Sequence, residues 1–298
     1  MVKVIAQYKN GNTMVTLFND GTKIRETNDD EFRPEFPENC DMTISTVCDN
    51  GCEFCYMNCK PDGEYADFEK YPFLNAMHRG MELAINLNFP AHPKLMEFLE
   101  KMSEQGVFVN ATVSERHFMK HRDFIRKLTE AHLLWGLGIS YAGVTDNDEF
   151  INAVKEFPTA VIHTIAGLIT YDTVRNLSGH GLKLLVLGYK NIGRGESYWD
   201  KNNPNIKEGI DWIAEELPYL TDKFRLISFD NLAIEQLRVR DWIDKDIWDE
   251  RYQGEEGSQT FYIDLVHGTF ARDSLIKENF PIGDKSLKEM FEIIRQNY

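Results

Sequence analysis

The stretch Met42-Thr43-Ile44-Ser45-Thr46-Val47-Cys48-Asp49-Asn50-Gly51-Cys52-Glu53-Phe54-Cys55-Tyr56 sets the frame for the rest of the chain. Its first half is a β-type run, read as a strand over 42–47. Its second half is a loop with three cysteines spaced C-x₃-C-x₂-C. All five cysteines, at 40, 48, 52, 55 and 59, fall within a window of 20 residues. Disulfides that staple a fold would be spread along it, so the clustering points to an inorganic centre. Three thiolates can hold three irons of a cubane cluster and leave the fourth iron without a protein ligand. An open metal position is what a catalytic centre needs and a structural one avoids. Asn50-Gly51 permits the tight turn that such a loop requires.

The competing reading is a structural zinc site built from four of the five cysteines. Zinc sites usually show well-separated C-x₂-C pairs, and here there is one such pair. Cys40 and Cys59 read as bystander thiols; near the mouth of a site, Cys59 could instead act on a substrate.

Working outward, strand-like and helix-like segments alternate. Strands are expected at 82–88, 107–114, 133–140, 160–169 and 182–188, with a seventh at 224–230. Helices are expected between them. Leu95, Phe98, Leu99 and Met102 mark one, with Pro93 in its first turn and Gly106 as its C-terminal cap. Ile206, Ile210, Ile213 and Leu217 mark another, and Leu232–Trp248 reads as one long helix. Repeated strand–helix units predict a parallel sheet with helices outside. Six or seven units are too few for a closed eight-fold barrel, so the expected fold is α/β, a partial (β/α)₆ TIM-type barrel. Chemistry then belongs at the C-terminal strand ends.

Ahead of the barrel, residues 1–40 read as a β-hairpin (2–8 and 14–18, turning at Lys9-Asn10-Gly11-Asn12) and a linker. After the barrel domain at 41–250, residues 251–298 read as a small β/α cap, with a β run at 259–266 and a closing helix at 286–297. The cap is expected to pair with the N-terminal hairpin.

The 298 residues are 42% apolar and 27% charged, which are globular values. A net charge of −15 disfavours a long nucleic acid as partner. No apolar run approaches the ~20 residues needed to span a bilayer. The N-terminus turns polar too soon for a signal peptide, so a cytoplasmic protein with reduced thiols is expected.

The cysteine loop, with an aromatic residue just before its third cysteine, resembles the signature of the radical S-adenosylmethionine (SAM) superfamily, C-x₃-C-x-aromatic-C. The strand–helix units from about 42 to 230 are similar to that family's partial barrel. The resemblance implies a [4Fe–4S] cluster on Cys48, Cys52 and Cys55. It implies that SAM chelates the open iron and is cleaved reductively to a 5′-deoxyadenosyl radical, which abstracts hydrogen from a substrate. A reductase, or a flavodoxin- or ferredoxin-type donor, would supply the electron.

For SAM, the resemblance points to the backbone of Phe54 for the adenine amino group. Where the family carries a Gly-Gly-Glu-Pro-like motif, this chain reads Ala84-Ile85-Asn86-Leu87-Asn88-Phe89-Pro90. The glycines are absent, and Asn86 and Asn88 offer carbonyl acceptors or simply order a turn. Thr112, Ser114 and Ser140, on one face of neighbouring strands, are candidates for ribose and carboxylate. They are otherwise cross-strand hydroxyls. Gly167 and Leu168 resemble the family's apolar adenine contact, with Gly167 letting backbone approach closely.

For substrate, Tyr189 and Arg194 follow the sixth strand, in Tyr189-Lys190-Asn191-Ile192-Gly193-Arg194-Gly195. Arg194 could clamp a carboxylate or phosphate, or sit in a surface loop. Glu115 follows the third strand. His163 reads as a satisfied core histidine. A peptide or peptide-like substrate is favoured, since the flanking β segments could offer an edge for strand addition. The alternatives are a nucleotide or nucleoside, or a non-catalytic metal-binding protein.

Overall fold

A computed structural model describes residues 2–276 and 278–297. The first three strands, β1 (Val4–Asn10), β2 (Thr13–Phe18) and β3 (Lys23–Glu26), form a small antiparallel sheet of their own. Then come β4 (Asn39–Thr43), β5 (Glu82–Asn86), α1 (Leu95–Glu104), β6 (Phe108–Ser114), α2 (Glu115–Glu130), β7 (Gly136–Ser140), α3 (Asn147–Lys155) and β8 (Ala160–Ile165). These are followed by α4 (Tyr171–Leu177), β9 (Lys183–Leu187), α5 (Arg194–Leu220), β10 (Leu226–Phe229), α6 (Asn231–Gln236) and α7 (Lys245–Arg251). The chain closes with β11 (Thr260–Asp264), β12 (Thr269–Ala271), β13 (Phe280–Pro281) and α8 (Leu287–Asn297).

One large sheet runs in the order β10-β9-β8-β7-β6-β5-β4-β11-β12-β13. From β10 to β11 every ladder is parallel. The register carries one apolar face across all eight strands. Phe261 meets Cys40, Cys40 meets Leu83, and Leu83 meets Val109. Higher up, Ala111 meets Leu137, Ile139 meets Ile162, and Ile162 meets Leu184, which meets Ile227. These residues join the buried cores of the crossover helices, such as Leu95, Phe98, Leu99 and Met102 of α1. The opposite face carries Asp41, Glu82, Asn86, Asn110, Thr112, Ser114, Ser140 and His163. Alternation with period two makes this division unavoidable: each strand sends its apolar set one way and its polar set the other.

Three expectations are corrected. The C-terminal β run does not pair with the N-terminal hairpin; β11 lies parallel against β4 as an eighth strand of the main sheet, so a boundary at 250 cuts through that sheet. The helix expected over 232–248 is broken into α6, a 3₁₀ turn at Val239–Asp241 and α7. Arg238, with φ +51°, adopts the left-handed conformation that interrupts it. Pro93 also lies outside α1, which starts at Leu95, while Gly106 supplies the expected positive-φ exit at +74°.

The small sheet closes the N-terminal end of the polar face. Lys23 on β3 reaches Glu82 of β5 at 2.7 Å and Glu38 at 3.4 Å. Arg25 binds both oxygens of Glu38 through Nε at 3.0 Å. Glu38 is only 2% exposed, so its charge is tolerable only with both cations in place. The other end of the polar face stays open, and there the loops converge.

Candidate functional site

The cysteine loop is an excursion between β4 and β5 whose ends are tied together. Ser45 bridges to Tyr65 and Val47 to Lys60. The Cys48 amide donates to the Lys60 carbonyl at 2.9 Å. Inside it, the Cys55 amide donates to the Cys52 carbonyl and the Asn58 amide to the Cys55 carbonyl. Gly51, at φ +71°, supplies the turn its position in the sequence suggested. Cys48 and Cys59 are buried, whereas Cys52 and Cys55 are half-buried. All five cysteines are free thiols.

Burial pushes the Cys48 and Cys52 thiols up. Cys55 is held down at about 6, chiefly because the Cys59 thiol is hydrogen-bonded to it; Cys59 moves up in turn. Among the described residues no three His, Cys, Asp or Glu side chains stand ready-made around one metal position. Cys48 and Cys52, pushed up by burial, would keep their protons until a metal displaced them. The donor set still fits an iron–sulfur centre: three thiols on one short loop, at the C-terminal strand ends where chemistry was expected.

Arg194 is not in a free loop. It begins α5, and its amide donates to the Cys55 carbonyl at 3.1 Å. Its guanidinium donates through Nε to the Cys52 carbonyl at 3.0 Å and through Nη1 to the Cys59 carbonyl at 2.8 Å. One residue thus fixes the backbone at three of the five cysteines, two through its side chain and one through its amide. Gly193 makes the approach possible: a Cβ there would lie 2.3 Å from the Tyr56 carbonyl oxygen. Tyr189 is buried, and its hydroxyl donates to the Gly195 carbonyl at 2.7 Å, bracing the same turn. On the loop's other side, Asp49 meets Nε2 of buried His117 at 2.5 Å. Replacing Arg194 with alanine is expected to leave a folded protein that retains less than about half of the wild-type iron after anaerobic reconstitution, since two charge-assisted hydrogen bonds to the loop are lost at once. Iron analysis beside a melting curve checks this; full iron retention would show that the clamp is dispensable.

Asn86 is engaged through both ends of its amide. It accepts from the Ile44 amide at 3.0 Å and donates to the Ser45 carbonyl at 2.7 Å, holding the chain that leads into the loop. Asn88 donates to the Ser45 carbonyl at 3.3 Å and lies 3.5 Å from the Cys59 sulfur. Thr112, Ser114 and Ser140 do share the polar face, with Ser114 paired to Ser140 in register. Ser114 also caps α2, accepting from the His117 amide at 3.3 Å. Gly167 has φ +81°, but what comes close to it is α5: a Cβ there would lie 2.6 Å from the Ile206 side chain. Leu168 is half-buried in the same turn. Phe54 packs edge-on against Tyr198 of α5, with ring centroids 5.8 Å apart.

Glu115 is a second residue whose role changes. It is completely buried, and its carboxylate accepts from the amides of Ala142, Gly143, Val144 and Thr145 at 2.7–3.1 Å. It orders the loop after β7 and has no acceptor capacity left for a substrate.

A polar cluster missed by the sequence reading adjoins the loop on the β4–β11 side. Asp41 lies on the polar face of β4: water reaches it, yet protein surrounds it, and desolvation raises its carboxyl. The Lys190 ammonium sits 4.2 Å from the centre of the Tyr56 ring and donates to the Ser274 hydroxyl at 2.8 Å. Thr43 and Tyr262 share a hydrogen bond of 2.7 Å. Glu256 accepts from Thr260 at 3.2 Å, and burial first, then the Asp41 charge, pushes its carboxyl up to about 7. A raised acid binds protons in the folded state between about pH 4.5 and 7, so it lowers stability as pH rises through that window. Glu256→Gln is therefore expected to match wild type near pH 4 and to be more stable at pH 8. The gain is roughly 1–2 kcal/mol after discounting for solvent screening of this partly buried group. Thermal melts at the two pH values check this; equal stability at pH 8 would contradict it.

No protein-family model matches this sequence, and no curated protein does. Its fold is similar to that of SuiB from Streptococcus suis in two crystal structures. The one bound to precursor peptide SuiA aligns with a TM-score of 0.54 at 13% identity, over 87% of this chain and 65% of SuiB. The one bound to S-adenosylmethionine gives 0.55 at 12%, over 88% and 68%. This chain thus spans about two thirds of the SuiB length. Among the described residues no helix is long and apolar enough to cross a membrane.

Proposed function

We propose that this protein is a radical SAM enzyme built on an incomplete barrel, and that it modifies a peptide or peptide-like substrate. A parallel sheet with one apolar face buries its other face by curling round on itself. Here the two edges of the sheet are β10 and β13, with β11 held between β4 and β12. The observation that carries the reading is the three-cysteine loop at the open end of the polar face, clamped by Arg194.

Cys48, Cys52 and Cys55 would hold a [4Fe–4S] cluster. When bound, the cluster and SAM supply a 5′-deoxyadenosyl radical that removes hydrogen from the substrate. The chain's own residues position and exclude. Arg194 and His117 fix the loop, Thr112, Ser114 and Ser140 present hydroxyls toward the cofactor, and Asn88 stands beside Cys59. Substrate would meet the polar cluster of Asp41, Lys190, Glu256 and Tyr262, beside Tyr56 and the third cysteine. The peptide reading is supported by a protein of similar fold that binds a precursor peptide, and by the free edge of β10. An electron donor of flavodoxin or ferredoxin type and a cytoplasmic setting complete the proposal, in keeping with five unpaired thiols.

The test is reduction of the anaerobically reconstituted protein with dithionite in the presence of SAM. Formation of 5′-deoxyadenosine is expected, and should rise with a pool of peptides more than with a pool of nucleosides. Stimulation by nucleosides alone would replace the substrate class. Tight zinc with no cleavage would make the chain a metal-binding protein instead.

A further inference from the structure

His163 occupies β8, where a lone histidine in a strand would ordinarily be a satisfied core residue. The structure shows otherwise. Its Nδ1 is buried without any hydrogen-bond partner among the described residues. No described residue bonds to its Nε2 either, and that atom is not enclosed. The ring lies on the polar face, across β7. A Cβ at Gly138 would fall 2.2 Å from Cε1 of the ring and 2.5 Å from Nε2, so only glycine leaves room for it.

The register places this ring in a row. Ser114 pairs with Ser140, and Ser140 with His163, on three neighbouring strands. Adjacent strands are about 4.8 Å apart, so the row spans roughly 10 Å at the open end of the sheet. Beyond it, His163 pairs with Leu185. Two hydroxyls and an imidazole thus end against an apolar residue.

We infer that His163 is a ligand-contact residue, donating its Nε2 hydrogen to a ribose or carboxylate oxygen of the nucleoside cofactor that lies along this row. The inference rests on the radical SAM reading proposed above. Burial holds the imidazole down at about 4, so at neutral pH it carries one proton. That proton belongs on Nε2, because a buried nitrogen lone pair without a partner costs less than a buried N–H without one. Gly138 then acts as a positioning residue, by leaving the space in which the ring lies.

The test uses the reconstituted holoprotein and two probes: S-adenosylhomocysteine, which has ribose and carboxylate, and 5′-methylthioadenosine, which lacks the carboxylate. His163→Phe is expected to weaken S-adenosylhomocysteine about tenfold. His163→Gln, which retains an N–H donor, should stay within about threefold of wild type. Weakening of both probes assigns the ribose; weakening of the first alone assigns the carboxylate. Gly138→Ala should cost about as much as His163→Phe in the wild-type background and nothing further on His163→Ala, since the added methyl then meets no ring. A ¹⁵N–¹H spectrum of labelled His163 should show the Nε2-protonated form, with its proton shifted by the probe. Wild-type affinity in His163→Phe with an unshifted ring proton overturns this inference alone. Failure of the wild-type protein to bind either probe overturns the radical SAM reading with it.

Discussion

Changing Cys48, Cys52 or Cys55 singly to alanine abolishes both iron retention and 5′-deoxyadenosine formation, on this account, while leaving the protein folded. Wild type should hold about four irons per chain after reconstitution, and each variant well under one, because a cluster with two protein ligands is not retained. The loop is tied at its base by the Ser45–Tyr65 and Val47–Lys60 bridges and by Arg194, none of which needs a cysteine sulfur. Melting temperatures should therefore stay close to that of the metal-free wild type. Cys40→Ala is the control: Cys40 faces the apolar core from β4, and its removal should spare the iron. A Cys48, Cys52 or Cys55 variant with full iron would refute the ligand assignment. Equal dependence on Cys59 would favour a four-sulfur site.

The second large effect concerns Glu115. Alanine there removes the buried carboxylate that accepts from four amides of a largely exposed loop. The expected loss is about 4 kcal/mol, since each of the charge-assisted hydrogen bonds removed contributes on the order of 1 kcal/mol. For a chain of this size that is a fall of roughly 8–16 °C in melting temperature. Glu115→Gln should lose most of the same stability, because its amide nitrogen turns a donor toward donors. The exposed Glu97→Ala should shift the melt by less than about 2 °C. Because the loop follows Ser140, Glu115→Ala should also loosen SAM binding. A melt within 2 °C of wild type would show that loop 141–146 does not depend on this carboxylate.

Much of the fold was legible because its signals are local. Alternation over 82–88, 107–114 and 133–140 marks strands that the structure places at 82–86, 108–114 and 136–140. The cysteine loop was legible as a motif, and Gly51 as its turn. What failed was long-range. The β run at 259–266 is visible, but nothing in its neighbourhood says that it lies beside β4. Arg194 sits between glycines and reads as a mobile loop until the end of β9 meets a loop 140 residues earlier in the chain. Glu115 looks like a solvent-facing acid until the turn after β7 wraps around it. The helix expected at 232–248 has the right periodicity, yet a left-handed Arg238 divides it. Asp41 was missed for a local reason. The strand begins at Asn39, so the polar alternation of Asn39, Asp41 and Thr43 fell partly outside the strand as read.

The claim on which the rest depends is that Cys48, Cys52 and Cys55 leave one iron open to SAM. Electron paramagnetic resonance of the reduced, reconstituted protein, with and without SAM, tests it most directly. The account predicts the signal of a reduced [4Fe–4S] cluster whose shape changes when SAM is added, because the sulfonium's amino and carboxylate groups become ligands. A cluster signal indifferent to SAM, or a protein that takes up zinc and no iron, would contradict it.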